Sequence, residues 1–300
     1  MPALFTQLIP VENEEDFQIL LGLESKIYDD AELRRFPAHP QSAAADRWLF
    51  GRPEEAFRYA YLLARGGAHT GYVLGYNLYP GEKKFALQLL PGQEKYAIEA
   101  LRLAEGLCAR GNKRAAFYIN TLDRELVRTA KKTGYHRPLK PSRWQAGLDL
   151  EQYREVPVAW ENERVARLAP ADFEERAQHS RMATGHTVSA AQYEEFYNSG
   201  YYKAAREYVI RTNDGAYAGH LTWWLDETGG AASLETVATV PEFRRRGIMR
   251  RAIFDGLNML KAEGVRYAYV STRARTPAQC LYESVGFARL GKAYLFEKRL

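Results

Sequence analysis

Apolar residues recur along this chain with two periods, and the periods alternate in the same order twice. In the first half, AYLLARGGAHTGYVLGY from Ala60 to Tyr76 reads as two strand-like runs joined by a Gly turn, the pattern of a hairpin. An apolar run, FALQLLP, follows, and then Ala97, Leu101, Ala104 and Cys108 recur at helical spacing. RAAFYIN predicts a strand and RELVRTAKK a helix, which Gly134-Tyr135 breaks. The second half repeats this order. EYVIRTNDGAYAGHLTWWL, from Glu207 to Leu225, predicts a hairpin, and LETVATVP a strand. Met249, Ile253, Leu257 and Leu260 mark one helix face; RYAYVST predicts a strand, AQCLYES a helix, and Gly286-Phe287 the break.

Gly67 and Gly71 stand to Gly215 and Gly219 at one constant offset. Each half opens on a short strand ending in proline, LFTQLIP and RVARLAP, followed by acid-rich helices. The expected order is β-α-α-β-β-β-α-β-α-β in both. Identity between the halves is low, so the repeat rests on element order and on Gly and Pro landmarks. The boundary falls near residues 151–162, in a polar stretch containing Pro157. It divides the chain into units 1–152 and 153–300, each of ordinary domain size. The expected fold class is α/β, of mixed α+β character.

Composition narrows the classes of function. The chain has 300 residues, 46% of them hydrophobic, enough to fill sizeable cores. No apolar run approaches the roughly 18 residues that a membrane helix needs, and the N-terminus lacks a basic region followed by an apolar stretch. A cytoplasmic protein with no membrane partner is expected. Cys108 and Cys280 have no CxxC or CxxH neighbour, so neither a metal site nor a disulfide framework is expected. The net charge of +5 is spread over both halves, whereas a nucleic-acid binder would concentrate it on one element. No nucleic-acid partner is expected.

One cluster departs from that even spread. In VPEFRRRGIMRRA, Val240 to Ala252, Pro241 ends a β-branched strand, and a basic loop containing Gly247 leads into a helix. A helix N-terminus offers free N–H groups and the positive end of the macrodipole, which suits phosphate. Gly247 allows close approach of the backbone, and Arg244, Arg245, Arg246 and Arg250 add charge-assisted donors. The residues describe a pyrophosphate-binding turn that is neither a Walker A loop nor a GxGxxG turn.

This turn resembles the R/Q-x-x-G-x-G/A signature of the GNAT superfamily of N-acetyltransferases. The flanks agree: a valine-containing lead-in ending in P-x-x-R spans Val237 to Arg244, and A-x-x-L-Y-x-x-x-G-F is met by Ala278, Leu281, Tyr282, Gly286 and Phe287. Met249 departs from the small residue of the signature and is expected to crowd the turn; Arg275 and Thr276 stand where the family often has Asn. The resemblance is sharp from Glu207 onward and covers the first half only as element order. It implies two tandem GNAT folds, each a twisted mixed sheet flanked by helices. The first-half counterpart of the turn, PGQEKYAIEA, carries Glu94 and a single basic residue, Lys95; Ala130 stands in place of Tyr282. The first unit is therefore expected to be a degenerate copy without an acetyl-CoA site.

The resemblance also implies roles. Acetyl-CoA is the cosubstrate, with its pantetheine arm along Val237, Ala238 and Thr239, and its pyrophosphate on the turn from Arg244 through Ile248 and Met249 to Arg250. Tyr282 is the acid for the leaving thiolate. Glu235 is the candidate base, placed on the face of Val237 by strand alternation, with His220 as the alternative. The acceptor is a primary amine, expected to be a small molecule, walled by Trp223, Tyr197 and His220. Tyr193, Phe196 and Tyr197 share a spacing that suits a core stripe equally well. A monomer or homodimer is expected. The alternatives are a non-catalytic acyl-CoA-binding or regulatory protein and a protein N-acetyltransferase.

Overall fold

The computed structural model describes residues 5–29, 60–79, 82–90, 92–109, 114–121, 124–137, 143–184, 188–199, 202, 205–226 and 230–300. The second helix expected in the first half lies outside them. The strands are β1 (Gln7–Pro10), β2 (Ala60–Arg65), β3 (Ala68–Tyr79), β4 (Glu82–Leu89), β5 (Arg114–Asn120), β6 (Arg143–Asp149), β7 (Glu163–Arg167), β8 (Ala205–Thr212), β9 (Tyr217–Leu225), β10 (Ala231–Thr239), β11 (Tyr267–Thr272) and β12 (Ala288–Arg299). The helices are α1 (Glu14–Asp29), α2 (Ala97–Ala109), α3 (Arg124–Lys132), α4 (Phe173–Thr184), α5 (Ala190–Asn198), α6 (Ile248–Ala262) and α7 (Pro277–Ser284).

The strands form one continuous sheet in the order β1-β2-β3-β4-β5-β12-β6-β11-β10-β9-β8-β7. Each half is a mixed sheet. β4 pairs β5 in parallel, β10 pairs β11 in parallel, and the other neighbours are antiparallel. The last strands are exchanged. β6, from the first half, lies against β11, while the end of β12 lies against β5. Trp144 and Ala146 of β6 consequently pack in the core of the second half, and Tyr294 and Phe296 of β12 in that of the first.

The glycine landmarks have a packing reason. A Cβ on Gly71 would meet the Gln88 carbonyl oxygen at 2.2 Å, and one on Gly219 would meet that of Ala238 at 2.5 Å. In both halves the hairpin's second strand approaches its next antiparallel neighbour too closely for a side chain. On one face of the second half's sheet, α6 buries Met249, Ile253, Leu257 and Leu260 beside Trp223 and Leu234. On the other, α4 and α5 cover Val209, Tyr217 and Trp224 through Phe173, Tyr193 and Phe196.

Candidate active site

The site begins where two parallel strands part. β10 and β11 pair only from Ala231↔Tyr267 to Leu234↔Val270, although β10 continues to Thr239. Its last residues therefore face a gap on the β11 side. A β-bulge marks the point of divergence, because the register with β9 jumps from Leu234↔Trp223 to Val237↔Leu221. Bulges bend a strand and disrupt its ladder, which opens the gap.

β10 then runs into Pro241 and a single 3-10 turn, Pro241–Phe243. Arg245 and Gly247 hold positive φ, 63° and 74°, and curl the backbone into the start of α6. Gly247 is the N-cap and no side chain caps the helix. The first bond of the helix is Arg251 N–H to the Gly247 carbonyl at 3.0 Å, so the N–H groups of Ile248, Met249 and Arg250 have no partner within it. Arg244, Arg245, Arg246 and Arg250 are exposed around this end. Arg244 is anchored by a bond from Nε to the Thr239 carbonyl at 3.1 Å. Arg251 is used structurally: it pairs with Glu163 at 2.9 Å and lies over the Trp160 ring.

A cavity of about 650 Å³ joins these pieces, lined by Val237 to Thr239, by Arg244, Arg245 and Gly247 to Arg250, and by Pro277, Ala278, Leu281 and Tyr282 of α7. Cationic donors stand at one end and apolar side chains at the other. Tyr282 is 5% exposed. Burial first, and the charge of Glu235 second, push its phenol well above the ordinary tyrosine value, so it stays a protonated donor at any working pH. The counterpart turn in the first half is closed on itself: the Glu94 carboxylate accepts from Gly92 N–H at 3.1 Å, and a fixed anion stands where a phosphate would have to come.

The sequence profile of the acetyltransferase (GNAT) family matches residues 163–287. This part of the chain is a GNAT acetyltransferase domain. Known structures share the fold over nearly the whole chain. A tandem GNAT protein from the clavulanic acid biosynthesis pathway is 15% identical, covers 98% of both chains and has a TM-score of 0.64. A GCN5-related N-acetyltransferase from Sphaerobacter thermophilus is 18% identical over 88% of this chain and 96% of its own, with a TM-score of 0.61. Saccharomyces cerevisiae N-myristoyltransferase, solved with bound myristoyl-CoA, is 11% identical over 97% of this chain and 78% of its own, with a TM-score of 0.59. At these identities the likeness is one of fold. No curated protein sequence matches significantly.

Within the GNAT domain, the residues expected to bind the cosubstrate line one cavity, except Arg246, whose guanidinium lies over the Phe243 ring at 5.1 Å. Met249 does not crowd the turn. Its side chain is 5% exposed and would lie 3.3 Å from a Cβ on Gly219, so the missing side chain of one residue makes room for the other. Glu235 is not placed by strand alternation, as expected from sequence. Leu234 and Val237 both pack against the α6 core, three residues apart, because the bulge resets the alternation. The charge of Glu235 nevertheless acts on the Tyr282 phenol.

The expected amine wall is corrected in part. Trp223 is fully buried in the α6 core, edge-on to Gly256, and no substrate reaches it. His220 is 1% exposed, with Nδ1 2.9 Å from the Tyr217 hydroxyl. Burial, then Arg176 and His179, push its pKa well below the ordinary value. It is a neutral, enclosed imidazole. Tyr197 is half-buried, edge-on to Phe173 and against Tyr202. Tyr193 and Phe196 are core.

The residues missed from sequence form a polar cluster between α4 and the sheet: buried Arg176, Ser180 and Glu207 and, on β10, half-buried Thr236. A signal existed. Phe173, Arg176, Ala177 and Ser180 share one helix stripe, and Glu207 alternates with buried Ala205 and Val209. Opposite charges thus sit at inward positions of two elements, where charges are rare unless paired.

Proposed function

We propose that the chain is an acetyl-CoA-dependent N-acetyltransferase acting, through its second half, on the primary amine of a small molecule. The observation that carries this reading is the cavity running from the open N-terminus of α6, along the end of β10 that β11 leaves open, to Tyr282. Its cationic end suits the phosphates of an acyl-CoA. Its apolar remainder suits a pantetheine arm lying against the backbone of Val237 to Thr239 on the side that β11 leaves open, where one N–H group would polarise the thioester carbonyl. The acceptor amine attacks that carbonyl: a C–N bond forms and the C–S bond breaks. The amine proton passes to Glu235, directly or through water, and Tyr282 donates to the sulfur as it leaves. Because Tyr282 enters each turnover as a protonated phenol and regains its proton from solvent after transfer, as Glu235 gives up the one it took, the pH dependence falls on the base and the amine.

Calorimetric titration with CoA and with acetyl-CoA, followed by thermal-shift screening of amines in the presence of CoA, tests this directly. Glu235→Gln and Tyr282→Phe are each expected to lower kcat about 10²-fold with little change in KM for acetyl-CoA, and Glu235→Gln to abolish the acidic limb of the rate profile. Absence of acetyl-CoA binding, or wild-type kcat in both variants, sinks the reading.

A further inference from the structure

Across the bulge, Glu235 and Thr236 of β10 stand opposite Thr222 of β9 alone. A bulge disrupts the ladder locally and leaves less of it to fix the extra residue. Here two side chains from separate elements hold it. The Trp224 indole N–H donates to the Glu235 carbonyl at 2.6 Å, and Arg176 Nη2 donates to Thr236 Oγ1 at 3.1 Å. Both clamps are themselves immobilised. Trp224 is 3% exposed and packs on Phe196. Arg176 is 2% exposed and donates from Nε to Glu207 at 2.6 Å and from Nη1 to Ser180 at 2.5 Å. Burial opposes its charge, but Glu207 foremost outweighs that and keeps it protonated.

A buried ion pair is a poor way to gain stability, since desolvating both charges offsets most of their attraction. An apolar pair would fill the same volume. What an apolar pair could not do is reach Thr236. Of the three side-chain bonds of Arg176, one stays on its own helix and one makes the pair. The third crosses to the bulge, beside Glu235 and at the start of the strand segment that faces the cavity.

We infer that Arg176 is a positioning residue for acyl transfer. Held by Glu207, it fixes the β10 bulge through Thr236, and with it the placement of Glu235 and of the Val237 to Thr239 backbone that lines the cavity relative to Tyr282. The inference rests on the transferase reading and deepens it. Arg176 is enclosed and acts only through Thr236.

Arg176→Lys leaves Glu207 poorly matched and can fail to fold, so the test is made at Thr236. Thr236→Val keeps shape and β-branching and removes only the acceptor, whereas Thr236→Ser restores it. Turnover is read as thiol released from acetyl-CoA, with glucosamine and spermidine as probe amines and with water as acceptor in their absence. Thr236→Val is expected to lower kcat about tenfold to a hundredfold, as misplacement of reacting groups does, with KM for acetyl-CoA unchanged within about twofold. Thr236→Ser is expected to recover most of the rate. The inference is overturned if Thr236→Val turns over like the wild type, if Val and Ser variants lose rate equally, or if the loss appears only in KM or in melting temperature. A wild-type protein that neither gains thermal stability from CoA nor releases thiol overturns the transferase reading itself, a separate outcome seen before any variant is compared.

Discussion

His220 shows how burial changes what a residue type means. In the sequence it stands on a strand beside the candidate base, and an imidazole there invites a role in proton transfer. In the structure Arg176, His179 and Tyr217 surround it, and burial excludes its charged form. The unfolded chain binds a proton at this residue near the ordinary value of about 6.5, while the folded chain refuses it. The unfolded state thus holds more protons as pH falls, and stability declines with acidification below that value. His179, also depressed, chiefly by burial, adds in the same direction. Melting temperature should therefore drop between pH 7.5 and 5.5, and His220→Gln should reduce the drop. A flat profile in that window contradicts a neutral, enclosed His220. Trp223 carries the same lesson, since an aromatic on a strand near the site is equally a core residue, and only the packing partner, Gly256, decides. Tyr282 and the turn were legible because their roles depend on local order along the chain. Arg176 was not read, although its charge on an inward stripe was visible, because its partner Glu207 is 31 residues away.

At the scale of elements, the two periods of apolar residues were sufficient for the order of strands and helices, since each element's buried face is written locally. The β10 bulge was not, because alternation cannot reveal where two residues oppose one. Expecting Glu235 on the face of Val237 followed from an unbroken strand, and the break is what makes the cavity. β9 and β10 meet at Gly219 with no room for a methyl group. Gly219→Ala must push against the Ala238 carbonyl and displace Met249 from beneath the helix start. Overpacking of this kind costs about 1–3 kcal/mol, and it should also weaken acetyl-CoA binding, because the strain falls on the β10 segment that faces the cavity. Calorimetry on the variant checks both; unaltered affinity and melting temperature would show that β9 shifts freely.

For the whole molecule, two similar halves raise the question of two sites. They are chemically unequal. The first has Ala130 where the second has Tyr282, and its turn holds the Glu94 carboxylate against Gly92. A fixed anion repels a pyrophosphate, so calorimetric titration should give a stoichiometry of one acetyl-CoA per chain; two would require the first turn to open. The halves are nonetheless one sheet, a feature that the sequence repeat concealed because element order does not say which strands pair. The exchange of β6 and β12 has a consequence for synthesis. β5 has β4 on one side, but its other neighbour comes only with residues 293–299, and Phe117 packs against Phe296. The first half leaves the ribosome early, yet its core stays open on that edge until β12 is made. At about 5–20 residues per second, the nascent chain carries an open strand edge and an unfinished apolar core for roughly ten to thirty-five seconds, the interval in which a chaperone has most to shield.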